Sequence, residues 1–382
     1  MPMTSIDPTS AAQRSSADGP DRALRLLRGE PSADAWSAFR RGSPPPSLRG
    51  VDLRGCTLRG HDLSAANLAR ADLRDADLRG ADLRDADLRD ANLAGATLRG
   101  ADLRGAKLGR ADLSRCDLIG ADLRGAHAYA PRQRSSSICT SGGALFTEAR
   151  LDGARFERAD LSGCTFHGVL AEEARFDHAQ LSGASLRAAL LRRSSFVQGE
   201  LAGASLAGAR FDECDLSGLR AAHLEVSGAC FVRCELATAV LTRAQLMRCT
   251  FDRCRFHGAD LLAAILTECD LSGSDLSGAN LDRAYVTGKF AGASFAGASL
   301  RGSLIPKADL RGVSFAGADL RDADLSRSRL DDANLFGADL RNAGLTLTSL
   351  RNASLRGAIH GPRTRWPQHL RDERLREARA AG

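Results

Sequence analysis

Residues 71–100 read ADLRDADLRGADLRDADLRDANLAGATLRG, six consecutive five-residue units built around leucine. Each unit places a small residue, usually alanine, two positions before a large apolar residue, with Asp or Asn between them. The large residue, here called the centre, recurs every fifth position over 48–123, 146–286 and 290–355, which gives 16, 29 and 14 units. This period organises 295 of the 382 residues and is the main determinant of the predicted fold.

A five-residue period fits neither an α-helix nor a flat strand. In a helix each residue advances about 100°, so centres five apart would spiral around every face. In a strand such residues alternate between faces, so every second centre would point into water. A chain that turns by about a quarter at each unit keeps all centres and alanines inside, with Gly or Asp at the corners. Four units then form a square coil of 20 residues.

The phenylalanines support this coil length. Twelve of the 14 occupy centres, and several lie 20 residues apart. We expect these rings to stack, because a ring needs width that the neighbouring coil must provide on the same face. The predicted columns are Phe146 with Phe166; Phe156, Phe176 and Phe196; Phe211, Phe231 and Phe251; and Phe295 with Phe315.

The A(D/N)LXX pattern resembles the pentapeptide-repeat family. The resemblance implies an all-β fold, a right-handed quadrilateral β-helix with short helices capping its ends. At a ladder spacing near 4.8 Å, about 15 coils would form a rod roughly 70 Å long. Some members of the family resemble B-form DNA in width and charge, bind type II topoisomerases such as DNA gyrase, and protect them from inhibitors.

Non-repetitive segments interrupt or flank the repeat. A β-solenoid leaves unpaired edges at both ends, and short helices are the expected covers. Leu24, Leu27, Trp36 and Phe39 are placed to cover the first coil, and the loss of one residue before Phe290 predicts a local bulge or tightened corner. The predicted organisation is a disordered start with capping helices at 1–45, a repeat block at 46–127, a non-repeat insertion at 128–143, further repeat blocks at 144–357 and a helical tail at 358–382.

Charge limits the functions that the repeat region can perform. The formal net charge is +6, but the three repeat blocks carry +1, −4 and +3 and are neutral together. In the first block, Asp72 and Asp77 face Arg74 and Arg79 in an alternating, solvated ladder worth about 0–1 kcal/mol per pair. A neutral repeat disfavours DNA mimicry, which requires a strongly acidic face. The interleaved Asp residues likewise disfavour direct nucleic-acid binding.

Catalytic and metal-binding motifs are missing from the sequence. The eight histidines are scattered, and no C-x-x-C, H-E-x-x-H or phosphate-binding glycine motif occurs. We therefore expect no enzyme activity, no cofactor, no metal and no small-molecule substrate. Eight of the ten cysteines hold the inward small position, where they are expected to pack as Ala does: Cys56, Cys116, Cys164, Cys214, Cys234, Cys249, Cys254 and Cys269.

The insertion and the tail supply the candidate interaction residues, which are Tyr129, Arg132, Arg134 and Trp366. The insertion is either a tolerated surface loop or a recognition loop, and the tail either caps the solenoid or forms a homodimer. No apolar run is long enough for a membrane span, and a polar start favours the cytoplasm. The sequence favours a non-catalytic, rod-shaped protein–protein interaction scaffold with an unknown protein partner, and the alternative is a DNA-mimicking modulator of a type II topoisomerase.

Overall fold

The computed structural model describes residues 22–28, 33–41, 47–129, 143–368, 370 and 379–380. The chain divides into two compact units, Met1–Thr165 and Phe166–Gly382. The first unit contains helix α1 over residues 22–28 and helix α2 over Ala33–Arg40. The strands described in the second unit are β1 Leu170–Glu172, β2 Leu190–Arg192, β3 Arg210–Asp212, β4 Glu225–Ser227, β5 Cys230–Val232, β6 Gln245–Met247, β7 Thr250–Asp252, β8 Ile265–Asp270, β9 Tyr285–Lys289, β10 Ile359–His360 and β11 Arg379–Ala380.

Parallel ladders with a 20-residue step form both units, which confirms the predicted β-solenoid. The hydrogen bonds follow one pattern. The Leu53 amide donates to the Asp72 carbonyl at 2.7 Å, and the Asp72 amide donates to the Val51 carbonyl at 2.8 Å. The deepest described ladders contain six residues in the first unit and ten in the second. The figure of about 15 coils, taken from the whole repeat, differs from the depth of either unit.

The strands of the second unit pair in one parallel sheet, in the order β1-β2-β3-β5-β7-β8-β6-β4, with β9 on β8. Within each strand the central residue is buried and its neighbours face outward, as in Gln245–Met247. The core is a thin column of centres and alanines, and Leu53 and Ala81 are both fully buried. The corner residue takes a left-handed φ, 63° at Gly80 and 56° at Asp85. These corners explain why Gly and short polar residues recur there.

Stacked phenylalanines confirm the 20-residue coil within the second unit. Phe231 lies between two parallel rings, 4.8 Å from Phe211 and 4.9 Å from Phe251 between centroids. Phe176 and Phe196 stack at 4.6 Å, and Phe295 and Phe315 stack at 5.2 Å. The rings add edge-on or parallel aromatic contacts to a core that is otherwise aliphatic.

A bulge between β8 and β9 absorbs the lost residue, as predicted. Ile265 pairs with Tyr285, but Cys269 pairs with Gly288, so the step falls from 20 to 19 residues. Gly288 has a φ of 137°, and a Cβ there would lie 1.8 Å from the Cys269 carbonyl oxygen. Only glycine fits this point, because the two backbones touch.

The insertion leaves the first unit's ladder and returns to it in register. Beyond it, the ladder partners are 33 residues apart instead of 20, as in Asp112 with Leu145. Tyr129 and Gly143 form an antiparallel bridge at its base, and the Ala144 amide donates to the Ala128 carbonyl at 2.9 Å. Residues 130–142, which include Cys139, lie outside the described residues.

Helix α2 covers the first coil, as the sequence predicted for Trp36. The Trp36 side chain is fully buried, and its Nε1 donates to the Asp62 carbonyl at 2.6 Å. The Arg40 guanidinium donates to the Ser64 carbonyl at 2.9 Å. Leu27 on α1 is also fully buried, whereas Leu24 and Phe39, also predicted to cover the coil, are half-buried.

The tail differs from the predicted helix where it is described. Residues 366–368 are not helical, and Arg379–Ala380 forms a strand parallel to Ile359–His360. Pairing of a strand edge supplies partners for backbone groups that a separate helix would leave open. Residues 371–378 lie outside the described residues.

The contact between Trp36 and His61 predicts acid sensitivity of the N-terminal cap. His61 is 1% exposed, and burial lowers the pKa of its imidazole below the ordinary 6.5. The unfolded state then binds a proton that the folded state excludes. Stability should therefore fall as the pH drops below about 6.5, by up to about 1.4 kcal/mol per pH unit.

Trp36 fluorescence in a Trp366→Phe background measures this effect, because the chain has only two tryptophans. Urea midpoints of the Trp36 signal at pH 7.5 and 5.5 give the change. His61→Ala, which installs the usual residue of that position, should abolish the pH dependence of this signal. An equal dependence in both proteins would contradict the assignment to His61.

Candidate protein interaction surface

Buried cysteines hold structural positions in the described core. Their thiols donate to carbonyl groups of the preceding coil, as Cys116 does to Leu93 at 3.0 Å and Cys234 to Phe211 at 3.4 Å. Burial raises the pKa of Cys116 and of Cys164 to about 12, so both stay protonated at neutral pH. Cys56 is half-exposed, whereas the other seven inward cysteines are buried.

Two searches of the described residues returned nothing. No group of three or more His, Cys, Asp or Glu side chains has the geometry of a metal site. Within that same part of the chain, no helix combines the length and hydrophobicity that crossing a bilayer requires.

Outward aspartates are neutralised by arginines two positions later in the same unit. Arg74 Nη2 lies 2.6 Å from Asp72 Oδ2, and its Nε donates to Oδ1 at 2.9 Å. This bidentate bond lowers the pKa of the Asp72 carboxyl. The same geometry recurs in Arg54–Asp52, Arg79–Asp77, Arg84–Asp82, Arg89–Asp87, Arg104–Asp102, Arg124–Asp122, Arg311–Asp309, Arg321–Asp319 and Arg341–Asp339. These columns of acids are therefore locally neutral.

The predicted interaction residues have different fates. Tyr129, at the base of the insertion in the first unit, is 42% exposed. Arg132 and Arg134 lie outside the described residues. Trp366, in the second unit, is half-buried and makes an edge-on contact with His360 at 5.7 Å between ring centroids.

An exposed apolar row on one face of the second unit was not predicted. Met247, Ile265, Tyr285 and Leu304 are 48%, 41%, 37% and 46% exposed. Ile265 pairs with Tyr285, and Tyr285 pairs with Leu304, so these three occupy consecutive coils. Met247 lies one coil earlier, on β6, which pairs with β8. We call these four residues the apolar row.

Four exposed basic residues border the apolar row. Arg243 and Arg283 lie at the corner before this face, and Lys307 and Arg327 at the corner after it, all with φ between 56° and 63°. No carboxylate of the described residues lies within 4.0 Å of any of them. We call these four residues the rim cations.

A second exposed apolar pair lies on another face of the same unit. Leu170 and Leu190 are 46% and 49% exposed and are paired in β1 and β2. Their neighbouring charges are engaged with one another, because Arg193 and Arg192 both contact the Glu172 carboxylate. This pair therefore lacks the unpaired positive border of the apolar row.

A family model for pentapeptide repeats matches eight copies over residues 47–85, 86–125, 142–177, 179–218, 229–267, 254–288, 293–332 and 328–359. The chain belongs to the pentapeptide-repeat family. A comparison with curated protein sequences gave no match.

Solved structures of other pentapeptide-repeat proteins resemble this chain. HetL, involved in heterocyst differentiation regulation in the cyanobacterium Nostoc sp. strain PCC 7120, is 22% identical, with 85% of this chain and 94% of HetL covered and a TM-score of 0.22. QnrB1, a plasmid-mediated fluoroquinolone resistance protein, is 19% identical, with 50% and 91% covered and a TM-score of 0.31. A protein of the Arabidopsis thaliana thylakoid lumen is 29% identical, with 35% and 71% covered and a TM-score of 0.19. TM-scores this low support no conclusion about function.

The apolar row departs from the pentapeptide-repeat pattern at one position of the unit. The residue before the centre is usually Asp, Asn or Ser, but here it is Ile265, Tyr285 and Leu304 on successive coils. This signal was present in the sequence. It appears when outward positions are compared coil by coil, with the step of 19 applied after Tyr285.

Proposed function

We propose that the protein is a non-catalytic, cytoplasmic scaffold that binds other proteins through its solenoid faces. The observation that carries this proposal is the exposure of large apolar side chains on strands whose backbone is fully engaged in ladders. Such side chains gain nothing from folding where they stand, and contiguous exposed apolar surface typically marks an interaction site. Their positions are also fixed, because each lies on a hydrogen-bonded coil.

Rigidity of the ladder favours binding over catalysis. The Ile265 amide donates to the Ala244 carbonyl at 2.8 Å, and the Tyr285 amide donates to the Ala264 carbonyl at 2.9 Å. A partner therefore meets side chains that need little further ordering, which lowers the entropic cost of association. The composition of the apolar row, with Tyr and Met beside Arg, is typical of the cores of protein interfaces.

The competing function, modulation of a type II topoisomerase through DNA mimicry, receives less support. Mimicry of DNA requires an uncompensated acidic surface. Here Asp82, Asp102 and Asp122 form a column on one face, but each is bound by the arginine two residues later. A gyrase supercoiling assay with added protein tests this function, and a change in supercoiling or in drug sensitivity would favour it over the scaffold.

Site-specific photo-crosslinking tests the scaffold. A photoreactive amino acid is introduced singly at Tyr285, Leu190 and Tyr129, three exposed positions, and at the fully buried Leu53 as the negative control. We expect defined protein adducts from at least one exposed position and none from the buried one. If no exposed position gives more adduct than the buried one in extracts of the source cells, the scaffold proposal is wrong.

Removing residues 130–142 addresses the insertion separately. Replacement of this segment by a short Gly-Ser linker keeps Tyr129 and Gly143 close, as their bridge requires. If the insertion is a recognition loop, the adducts from Tyr129 should disappear, whereas those from Tyr285 should persist. An unchanged adduct pattern would make it a tolerated surface loop.

A further inference from the structure

We propose that the apolar row binds an amphipathic α-helix of a partner protein, and that acidic residues border the apolar stripe of this helix. The inference rests on the proposed scaffold function and assigns to it one face and one class of partner. It is based on three features of this face: the spacing of its side chains, the engagement of its backbone, and the charge at its borders.

The spacing of the apolar row matches a helix laid along the solenoid axis. Consecutive coils of a parallel ladder are about 4.8 Å apart, so four coils from Met247 to Leu304 extend about 14 Å. One turn of an α-helix rises 5.4 Å, and an apolar stripe with one or two residues per turn covers this distance in about three turns. Side chains of such a stripe can therefore lie between successive side chains of the row.

The backbone beneath the row excludes strand addition as the binding mode. The amides of Ile265, Tyr285 and Leu304 all donate to carbonyls of the preceding coil, at 2.8–2.9 Å. An added strand needs an open edge to pair with, and this face offers only side chains. A helix satisfies its own backbone and brings an apolar surface without unpaired amides.

The rim cations determine the charge of the partner. Arg243 and Arg283 border one side of the row, and Lys307 and Arg327 border the other. Glu268, an acidic residue of the same strand as Ile265, is already engaged, because Arg248 binds it at 2.8 Å. Both borders are therefore uncompensated positive charge. Acidic side chains on both sides of a partner's apolar stripe would complement them and accelerate association.

A second copy of this chain is a poorer occupant of the same face. A two-fold symmetric dimer places a patch against itself, so the rim cations of one protomer would face those of the other. Facing like charges opposes association. An acidic helix meets both borders with opposite charge.

Two synthetic peptides serve as probes in a fluorescence anisotropy titration with the full chain. Both are amphipathic helices of roughly 18 residues, or five turns, with the same leucine stripe. One carries Glu at the positions that border the stripe, and the other carries Lys. We expect the Glu peptide to bind at least tenfold more tightly than the Lys peptide.

Variants of exposed residues link the binding to the row. The double variant Ile265→Thr/Leu304→Thr keeps β-branched residues on the strand and should weaken binding of the Glu peptide at least tenfold. The double variant Arg283→Glu/Lys307→Glu should reverse the preference between the two peptides. Leu190→Thr, at an equally exposed leucine on another face, is the matched control and should leave both affinities unchanged.

Several results would overturn the inference: equal affinity for both peptides, binding that survives Ile265→Thr/Leu304→Thr, or no binding of the Glu peptide. Self-association of the wild type that this double variant abolishes would assign the row to a second copy instead. The scaffold proposal fails separately, when no exposed position gives crosslinked adducts. Adducts that persist while the Glu peptide fails to bind would remove only the helix inference.

Discussion

Replacing Phe231 with alanine should lower the free energy of unfolding by about 3–5 kcal/mol, the cost of removing a large buried aromatic side chain. Phe231 is 5% exposed and lies between two parallel rings, so its loss leaves a gap that neither neighbour can close without leaving its own coil. The ladder fixes the backbone on both sides, which prevents collapse around the gap. Urea denaturation followed by circular dichroism measures the loss.

Phe336→Ala is the matched control, because this ring is 53% exposed and holds an outward position. It should cost less than about 0.5 kcal/mol. Phe231→Leu, which restores the usual centre, should recover most of the stability that Phe231→Ala loses. Because each coil contacts only its neighbours, amide exchange should accelerate mainly near residues 211–251. A uniform acceleration throughout the second unit would contradict this nearest-neighbour account.

Gly288→Ala should be the most damaging glycine substitution in the second unit, with a loss of about 3 kcal/mol. Its new Cβ would overlap the Cys269 carbonyl oxygen, and a φ of 137° is unfavourable for any residue with a Cβ. Strands β8 and β9 would have to separate, although their pairing is what accommodates the change of step. Thermal unfolding and amide exchange of residues 266–270 measure both effects.

Gly297→Ala provides the comparison for this substitution. Gly297 has an ordinary corner φ of 64°, and a Cβ at this position would meet no atom of another coil within 4 Å. Its replacement should cost only about 1 kcal/mol, since many corners of this chain already hold residues other than glycine. If Gly288→Ala is no worse than Gly297→Ala, the close contact with Cys269 does not constrain the bulge.

Most of the fold was predictable because the repeat leaves few backbone solutions. Inward centres and alanines, stacked rings such as Phe211 and Phe231, and the cover provided by Trp36 were all expected and are present. The described end of the chain was not predicted. Its charged, leucine-containing pattern favours a helix, but Arg379–Ala380 pairs with Ile359–His360, and local propensity does not anticipate pairing with a distant edge.

The candidate site was predicted less well than the fold. The sequence pointed to residues outside the repeat, of which Tyr129 is exposed and Trp366 is half-buried. The apolar row lies inside the repeat, where Ile265 and Leu304 resemble ordinary apolar residues of a solenoid. Only their position before the centre makes them outward, and this distinction has no consequence until the coils are stacked.

The sequence by itself determined the square coil, its inward residues and its stacked rings, because a five-residue period with a small and a large inward position has one compact solution. Only the tertiary structure decided which outward residues share a face. That choice depends on coil register, and the register changes at Gly288, where the step of 19 places Leu304 beside Tyr285. The rim cations become a border of the row for the same reason, since residues far apart in sequence meet only when consecutive coils stack.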